Sequence, residues 1–300
     1  MERLIYGTSA YKIFCGDAKA DRLSHAYMLY FPDEKNLKKA LKLFALKFFG
    51  AAPGGRDERL ILSGNLSDLK IYPEEDKKLS VDVAAQITDD AALKPLEHDK
   101  KLFIISDFNG ASPVFQNKLL KILEEPPQGV YFLLGATSLS PVLDTVKSRV
   151  KLLEIPAFTA DEIFAALQRQ GESQFNRQAA EACGGVLGAA QNMLSGEWYQ
   201  QVARAAKELC AANTVEKAVD AAAKYGDFKL KKELLAEMQR VYFSQLKAYA
   251  RDSGYKGALT AGGAAYAVQS VNSALADVKF NANFSSLLYD LLLRIATHNG

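Results

Sequence analysis

Leu102-Phe-Ile-Ile-Ser-Asp-Phe-Asn-Gly-Ala-Ser-Pro-Val-Phe-Gln-Asn-Lys-Leu-Leu-Lys-Ile-Leu-Glu-Glu-Pro-Pro-Gln-Gly-Val-Tyr-Phe-Leu-Leu134 holds a strand, a helix and a second strand in one run. Leu102–Ile105 is short and wholly apolar, the pattern of a strand buried on both faces. Ser112 is placed to cap a helix that Pro113 opens and that runs to Glu124, with Leu119, Leu120 and Leu123 facing inward. Pro126-Pro127 ends it, because a residue before proline resists helical angles. Val130–Leu134 is again a short apolar run. Two such strands joined through a helix pair in parallel by a right-handed crossover, in a sheet covered on both faces.

The same alternation extends outward. Ala26–Phe31 reads as a buried strand, followed by a helix over Glu34–Phe49 with Leu37, Ala40, Leu41, Phe44, Ala45 and Phe48 at helical spacing. Gly50 and Pro53-Gly54-Gly55 stop that helix. Leu69–Tyr72 is a strand, and Ser80 caps a helix through Ala92. A short helix over Pro141–Lys147 and a strand over Lys151–Ile155 complete an α/β domain with a mostly parallel sheet. Pro156 marks a boundary, beyond which the pattern is helical. Thr159 caps a helix carrying Ile163, Phe164 and Leu167. Others fit 174–183, 187–194, 197–211 and Leu230–Ala250, with breaks near Gly226, Gly254–Gly257 and Asn281–Asn283. Trp198 and Tyr199 are expected to pack inside this helical part.

The 300 residues suffice for two or three domains, and a net charge of +2 neither demands nor excludes an anionic partner. Cys15, Cys183 and Cys210 are too scattered for a disulfide framework and too few for a four-cysteine zinc site. The first residues lack the pattern of a secretion signal, and no run of ~18 apolar residues occurs, so a cytoplasmic location is expected.

The loop after the first strand is where an α/β ATPase places its phosphate loop, with glycines that turn backbone N–H groups onto phosphate, then a lysine and a hydroxyl residue. Here it reads Phe31-Pro-Asp-Glu-Lys-Asn-Leu-Lys38, without glycine. Asp33 and Glu34 repel phosphate, Leu37 stands where the lysine is wanted, and Lys35 and Lys38 read as solvated helix residues. The strand that should end in magnesium-holding acids ends in Ser106 and Asp107, the latter also a common turn former. No nucleotide or metal cofactor is expected.

With both positions in view, a family resemblance emerges. Asn117-Lys-Leu-Leu-Lys-Ile-Leu-Glu-Glu-Pro-Pro127, Val130–Thr137 and Thr145-Val-Lys-Ser-Arg149 resemble the AAA+ subunits of bacterial DNA polymerase III clamp loaders, as do Ser24-His-Ala-Tyr27, Asn65–Asp68 and Leu93-Lys-Pro95. The order and spacing match from about residue 3 to 196. Loss of the phosphate loop with a retained Ser-Arg is most similar to the non-hydrolysing, delta-prime-type members. The resemblance implies an AAA+ domain over 1–157, a helical lid over 158–212 and a helical collar for oligomerisation over 213–300. It also implies delta and gamma/tau subunits as partners and a complex that loads the sliding clamp onto primed DNA. Three departures stand out. Ser148-Arg149 is followed by Val150 where the family's motif has cysteine. The stretch Gly50–Asp57 lacks the cysteines with which many relatives bind zinc, and Gly188 stands where ATP-binding relatives carry a sensor arginine.

In this family the Ser-Arg arginine reaches into a neighbour's ATP site, which makes Arg149 the candidate catalytic residue in trans, with Ser148 orienting or capping beside it and Lys147 assisting or merely solvated. A guanidinium forks onto phosphate oxygens and neutralises charge in phosphoryl transfer. By spacing alone, Arg149 reads first as a cation at a helix end, and it is the resemblance that favours the trans role. Thr137, at the family's sensor position, and His25 read as structural, and Lys118 and Lys121 as either solvated or facing DNA phosphates. Three functions are thereby distinguished: a non-hydrolysing scaffold and trans activator, a delta-type clamp-binding module, and an independent ATPase. The last needs a glycine loop followed by Lys-Ser/Thr, which Gly54-Gly55, Gly184-Gly185 and Gly262-Gly263 do not supply.

Overall fold

The computed structural model describes residues 1–298 apart from 75–77, 172–174, 253 and 279–282. The chain divides into two compact units, Met1–Glu172 with Cys183–Ala189, and Ser173–Ala182 with Ala190–Gly300. The first begins with helices α1 (Glu2–Gly7) and α2 (Ser9–Lys19) and continues through β1 (Ala26–Tyr30), α3 (Glu34–Phe49), α4 (Arg56–Ser63), β2 (Leu69–Tyr72) and α5 (Val81–Ala92). Then come β3 (Lys101–Ile105), α6 (Pro113–Glu124), β4 (Val130–Ala136), α7 (Asp144–Lys147), β5 (Lys151–Glu154) and α8 (Ala160–Gln168).

The five strands form one parallel sheet in the order β2-β3-β4-β1-β5. β1 is paired on both sides, with β4 and β5, and Ala26–Leu29 are all buried. On one face, Phe103 and Phe132 stack against each other and against Phe115 and Leu119 of α6 and Ile87 of α5. Full burial of each such side chain contributes about 1.5–3 kcal/mol.

Local signals set the helix ends. Asp33, Ser80, Ser112 and Thr159 each accept a first-turn N–H, and Thr159 forms a reciprocal capping box with Glu162. Gly50 closes α3 in the left-handed conformation at φ 65°, where a Cβ is strained.

Helices α1, α2 and α4 were not expected from the sequence. α4 follows Pro53-Gly54-Gly55 directly, and its N-cap, Gly55, offers no side chain to signal a start. The helix expected from Pro141 begins only at Asp144. Its first residues find another partner: the buried Gln116 side chain donates to Pro141 O (2.9 Å) and accepts from Leu143 N (2.9 Å). β5 ends at Glu154, although Ile155 N still donates to Tyr30 O (2.9 Å).

α9 (Asn176–Ala182) belongs to the second unit, and α10 (Leu187–Ser195) begins within the 183–189 segment. The second unit continues with α11 (Glu197–Cys210), α12 (Val215–Tyr225), α13 (Lys231–Arg251), α14 (Ala261–Asp277) and α15 (Phe284–His298). Leu234, Met238, Tyr242, Val271, Leu288, Leu291, Leu292 and Ile295 make its core. The expected helix start at 174 and the break at Asn281 lie outside the described residues. Tyr199 is buried, but Trp198, expected to pack with it, keeps more than a third of its surface exposed. No helix among the described residues is long and apolar enough to cross a membrane.

Candidate functional site

The connection from β1 to α3 is three residues long, Phe31, Pro32 and Asp33. Phe31 is buried and meets Phe158 edge to face at 6.2 Å. A loop this short cannot curl around a phosphate, and its apolar end is packed.

Asp33 then caps α3 at its positive end, where helix N-termini favour negative charge. It is 1% exposed. Oδ1 accepts from Asn36 N (3.1 Å), while Oδ2 accepts from Asn36 Nδ2 (2.9 Å) and Gly188 N (2.8 Å). The protein's own carboxylate thus takes one first-turn N–H, a side-chain amide and a distant backbone N–H at this helix end. Gly188 is required for this. A Cβ there would collide with the Asp33 carboxylate and lie 2.8 Å from Lys35 Cβ. The position where the family resemblance implies a sensor arginine therefore holds a residue with no room for any side chain.

The tip of β3 is also turned inward. Ser106 is buried and donates to Tyr72 O (3.2 Å), and Asp107 caps a turn at Phe108–Gly110 by accepting from Gly110 N (3.3 Å). Thr137, at the end of β4, donates to Asn109 Oδ1 (3.1 Å), which also receives Thr137 N (2.5 Å). Asn109 thereby binds the β3 and β4 tips to each other. His25 enters only through its backbone O, which accepts from Phe132 N (2.8 Å).

Arg149 stands apart from this cluster, at the turn between α7 and β5. Val146 buries in the core and anchors α7; Ser148 ends it and donates to Thr145 O (3.1 Å). Arg149 Nη1 donates to Thr145 O (2.7 Å) and Ser148 Oγ (3.3 Å), and Nη2 pairs with Glu124 at the end of α6. Nε is buried and has no partner among the described residues. The side chain remains 28% exposed. Lys147 pairs with Asp144 (3.1 Å). Lys118 and Lys121 are exposed on α6.

Sequence reasoning missed three supports. Gln116 bonds α6 to the approach of α7, as described above. Asp68 is fully buried and accepts from the backbone N–H groups of Leu96 (2.6 Å), Glu97 (2.9 Å) and His98 (2.8 Å), with His98 Nδ1 at 3.0 Å. Burial pushes its pKa up, but these bonds prevail and hold the carboxyl below its ordinary value. Asp17 accepts from Tyr27 Oη (2.8 Å) and Lys151 Nζ (2.6 Å), joining α2 to β1 and β5. The only signal for these was that Asp68 and Tyr27 fall within segments that resemble the family.

A five-stranded parallel sheet in this order, flanked by helices and with Asp33 buried at the N-terminus of α3, defines an α/β fold. Its family follows from comparison. The model for the family described as DNA polymerase III, delta subunit, matches residues 7–159, just over half the chain, and the chain belongs to that family of clamp-loader subunits. It is similar to the DNA polymerase III subunit delta' of Bacillus subtilis, with 33% identity over 150 residues, 47% of this chain and 45% of the relative. It is also similar to the tau/gamma subunit of Haemophilus influenzae, at 30% identity over 152 residues, 48% and 22% of the two chains. The chain thus spans less than half the length of these relatives. Among solved structures, a gamma subunit-related protein of Thermotoga maritima aligns over 96% of this chain and 99% of its own, at 16% identity and a TM-score of 0.43.

Proposed function

We propose that this chain is a non-hydrolysing clamp-loader subunit that scaffolds the complex and lends Arg149 in trans to a neighbouring ATPase subunit. One observation supports the first half of this reading: the buried Asp33 carboxylate sits at the N-terminus of α3 and already takes Asn36 N, Asn36 Nδ2 and Gly188 N, donors that could otherwise face an anion there. Arg149 supplies the second half, since a partly exposed guanidinium at a turn fixed by buried Val146 is placed to meet another molecule's anion. The partners in this reading are delta and gamma/tau subunits, with sliding clamp and primed DNA engaged through the assembly in the cytoplasm. The functional division is an AAA+ domain over 1–157, a lid over 158–212 and an oligomerising collar over 213–300.

Two measurements test the reading. Calorimetric titration of the chain with ATP and magnesium should give no heat of binding; tight binding would remove the first half. A reconstituted clamp-loader complex carrying Arg149→Ala should lose the stimulation of ATP hydrolysis, and full retention would remove the second.

A delta-type, clamp-binding role is the alternative. What favours it is a pair of exposed apolar residues, Leu93 (62%) and Leu96 (79%), beside the turn that Asp68 fixes. Pull-down with the sliding clamp alone separates the two: strong capture that Leu96→Glu abolishes supports the clamp-binding role.

A further inference from the structure

Glu124 is the last residue of α6 and Glu125 its C-cap. Two carboxylates therefore stand where the helix carbonyls already concentrate negative charge, which helix formation disfavours. Glu124 nevertheless has a cation beside it, Nη2 of Arg149. The rest of that guanidinium is unevenly served. Nη1 is held by Thr145 O and Ser148 Oγ, whereas the Nε–H is unpaired among the described residues. Nε and Nη2 form one edge of the planar fork, the edge that receives two oxygens in a bidentate contact. Glu124 reaches only one of the two nitrogens, so that edge is half used.

We propose that Glu124 is a positioning residue that acts as an internal occupant of Arg149. In the free chain it orients and neutralises the guanidinium, and a neighbour's phosphate oxygens displace it by engaging Nε and Nη2 together. The inference rests on the trans role of Arg149 proposed above. Exposure makes departure of Glu124 feasible, since the two side chains are 28% and 48% exposed, and the buried Nε must be uncovered by that departure before it meets a phosphate. Ion pairs so exposed shift equilibria by about two- to fivefold. That is enough to hold a side chain in one rotamer and too little to resist a triphosphate.

The test compares Glu124→Gln with Glu125→Gln, which removes the same charge from the same helix end without touching Arg149. In the full chain labelled with 15N-arginine, the Arg149 guanidinium protons should exchange with water faster in Glu124→Gln than in the parent or in Glu125→Gln. In the reconstituted complex, Glu124→Gln should lower the KM for ATP by about two- to fivefold with kcat unchanged, because an internal competitor has been removed. Unaltered exchange, an unchanged or higher KM, or a fall in kcat would each overturn the proposal. The underlying reading fails separately, if Arg149→Ala keeps full stimulation of ATP hydrolysis.

Discussion

The Asp33 corner and the Arg149 corner lie in the same unit, and each pairs a charge with groups of the protein itself. At Asp33 the charge is buried, every contact is short, and the partners are two backbone N–H groups and one amide. At Arg149 the charge is partly exposed, one nitrogen lacks a partner among the described residues and the counter-ion is a half-exposed glutamate. Breaking a buried, fully bonded charge leaves several desolvated donors and costs kilocalories; breaking an exposed pair costs a fraction of one. The first arrangement is fixed by its burial, and the second leaves a group that can exchange partners.

The largest effect expected from this contrast is on the available side. Arg149→Ala should reduce stimulation of a partner's ATP hydrolysis on the scale of an arginine finger, roughly 10³-fold or more, while the urea midpoint of the chain barely moves. Arg149→Lys should rescue little, since an ammonium keeps the charge but not the fork. A stability loss as large as the activity loss would mean that Arg149 is structural and erase the contrast.

On the buried side the effect should appear in stability. Asp33→Ala strands the Asn36 and Gly188 donors and should cost about 2–4 kcal/mol in urea unfolding. Gly188→Ala drives a methyl into the carboxylate and should cost about 1–3 kcal/mol. The double variant should be less destabilised than the sum, because the clash with the carboxylate is gone and only the approach to Lys35 Cβ remains. Additive losses would show that the two residues are not coupled.

The difference between the corners also explains what could be read in advance. Strand positions, the caps at Asp33, Ser80, Ser112 and Thr159, and the stop at Gly50 are local, with cause and effect within four residues, and the sequence shows them plainly. The absence of glycines between Phe31 and Lys38 was equally visible. The way these charges are paired was not: Asp33 and Gly188 are 155 positions apart, Asp68 and its turn 28 to 30, and Glu124 and Arg149 25. Such pairings belong to the packed chain. Trp198 erred for a related reason, since two adjacent aromatics on a helix face different directions and only Tyr199 points at the core.

Asp68 tests whether buried carboxylates in this fold behave alike. Its pKa lies below the ordinary 3.8 because the native state binds its charged form. The stability it supplies is therefore complete above about that pH and is lost as pH falls through the depressed native value. Unfolding in urea from pH 7 downward should show the parent losing stability below pH ~4, with Asp68→Asn less stable at neutrality but flatter across that acid range. Parallel profiles would mean that other carboxylates carry the acid sensitivity.

The smallest effect concerns α6, which carries Lys118 and Lys121 on its exposed side and Glu124 at its end. If the helix faces nucleic acid in the assembled complex, each lysine neutralises about one phosphate, so the double alanine variant should reduce the salt dependence of primed-DNA binding by a slope of about two. Exposed lysines contribute little to folding, so stability should stay within about 0.5 kcal/mol of the parent. An unchanged salt slope would leave them as solvated residues. It would also leave Arg149, outside α6, as the cation proposed to meet phosphate at this end of the unit, which makes the contrast between the corners sharper still.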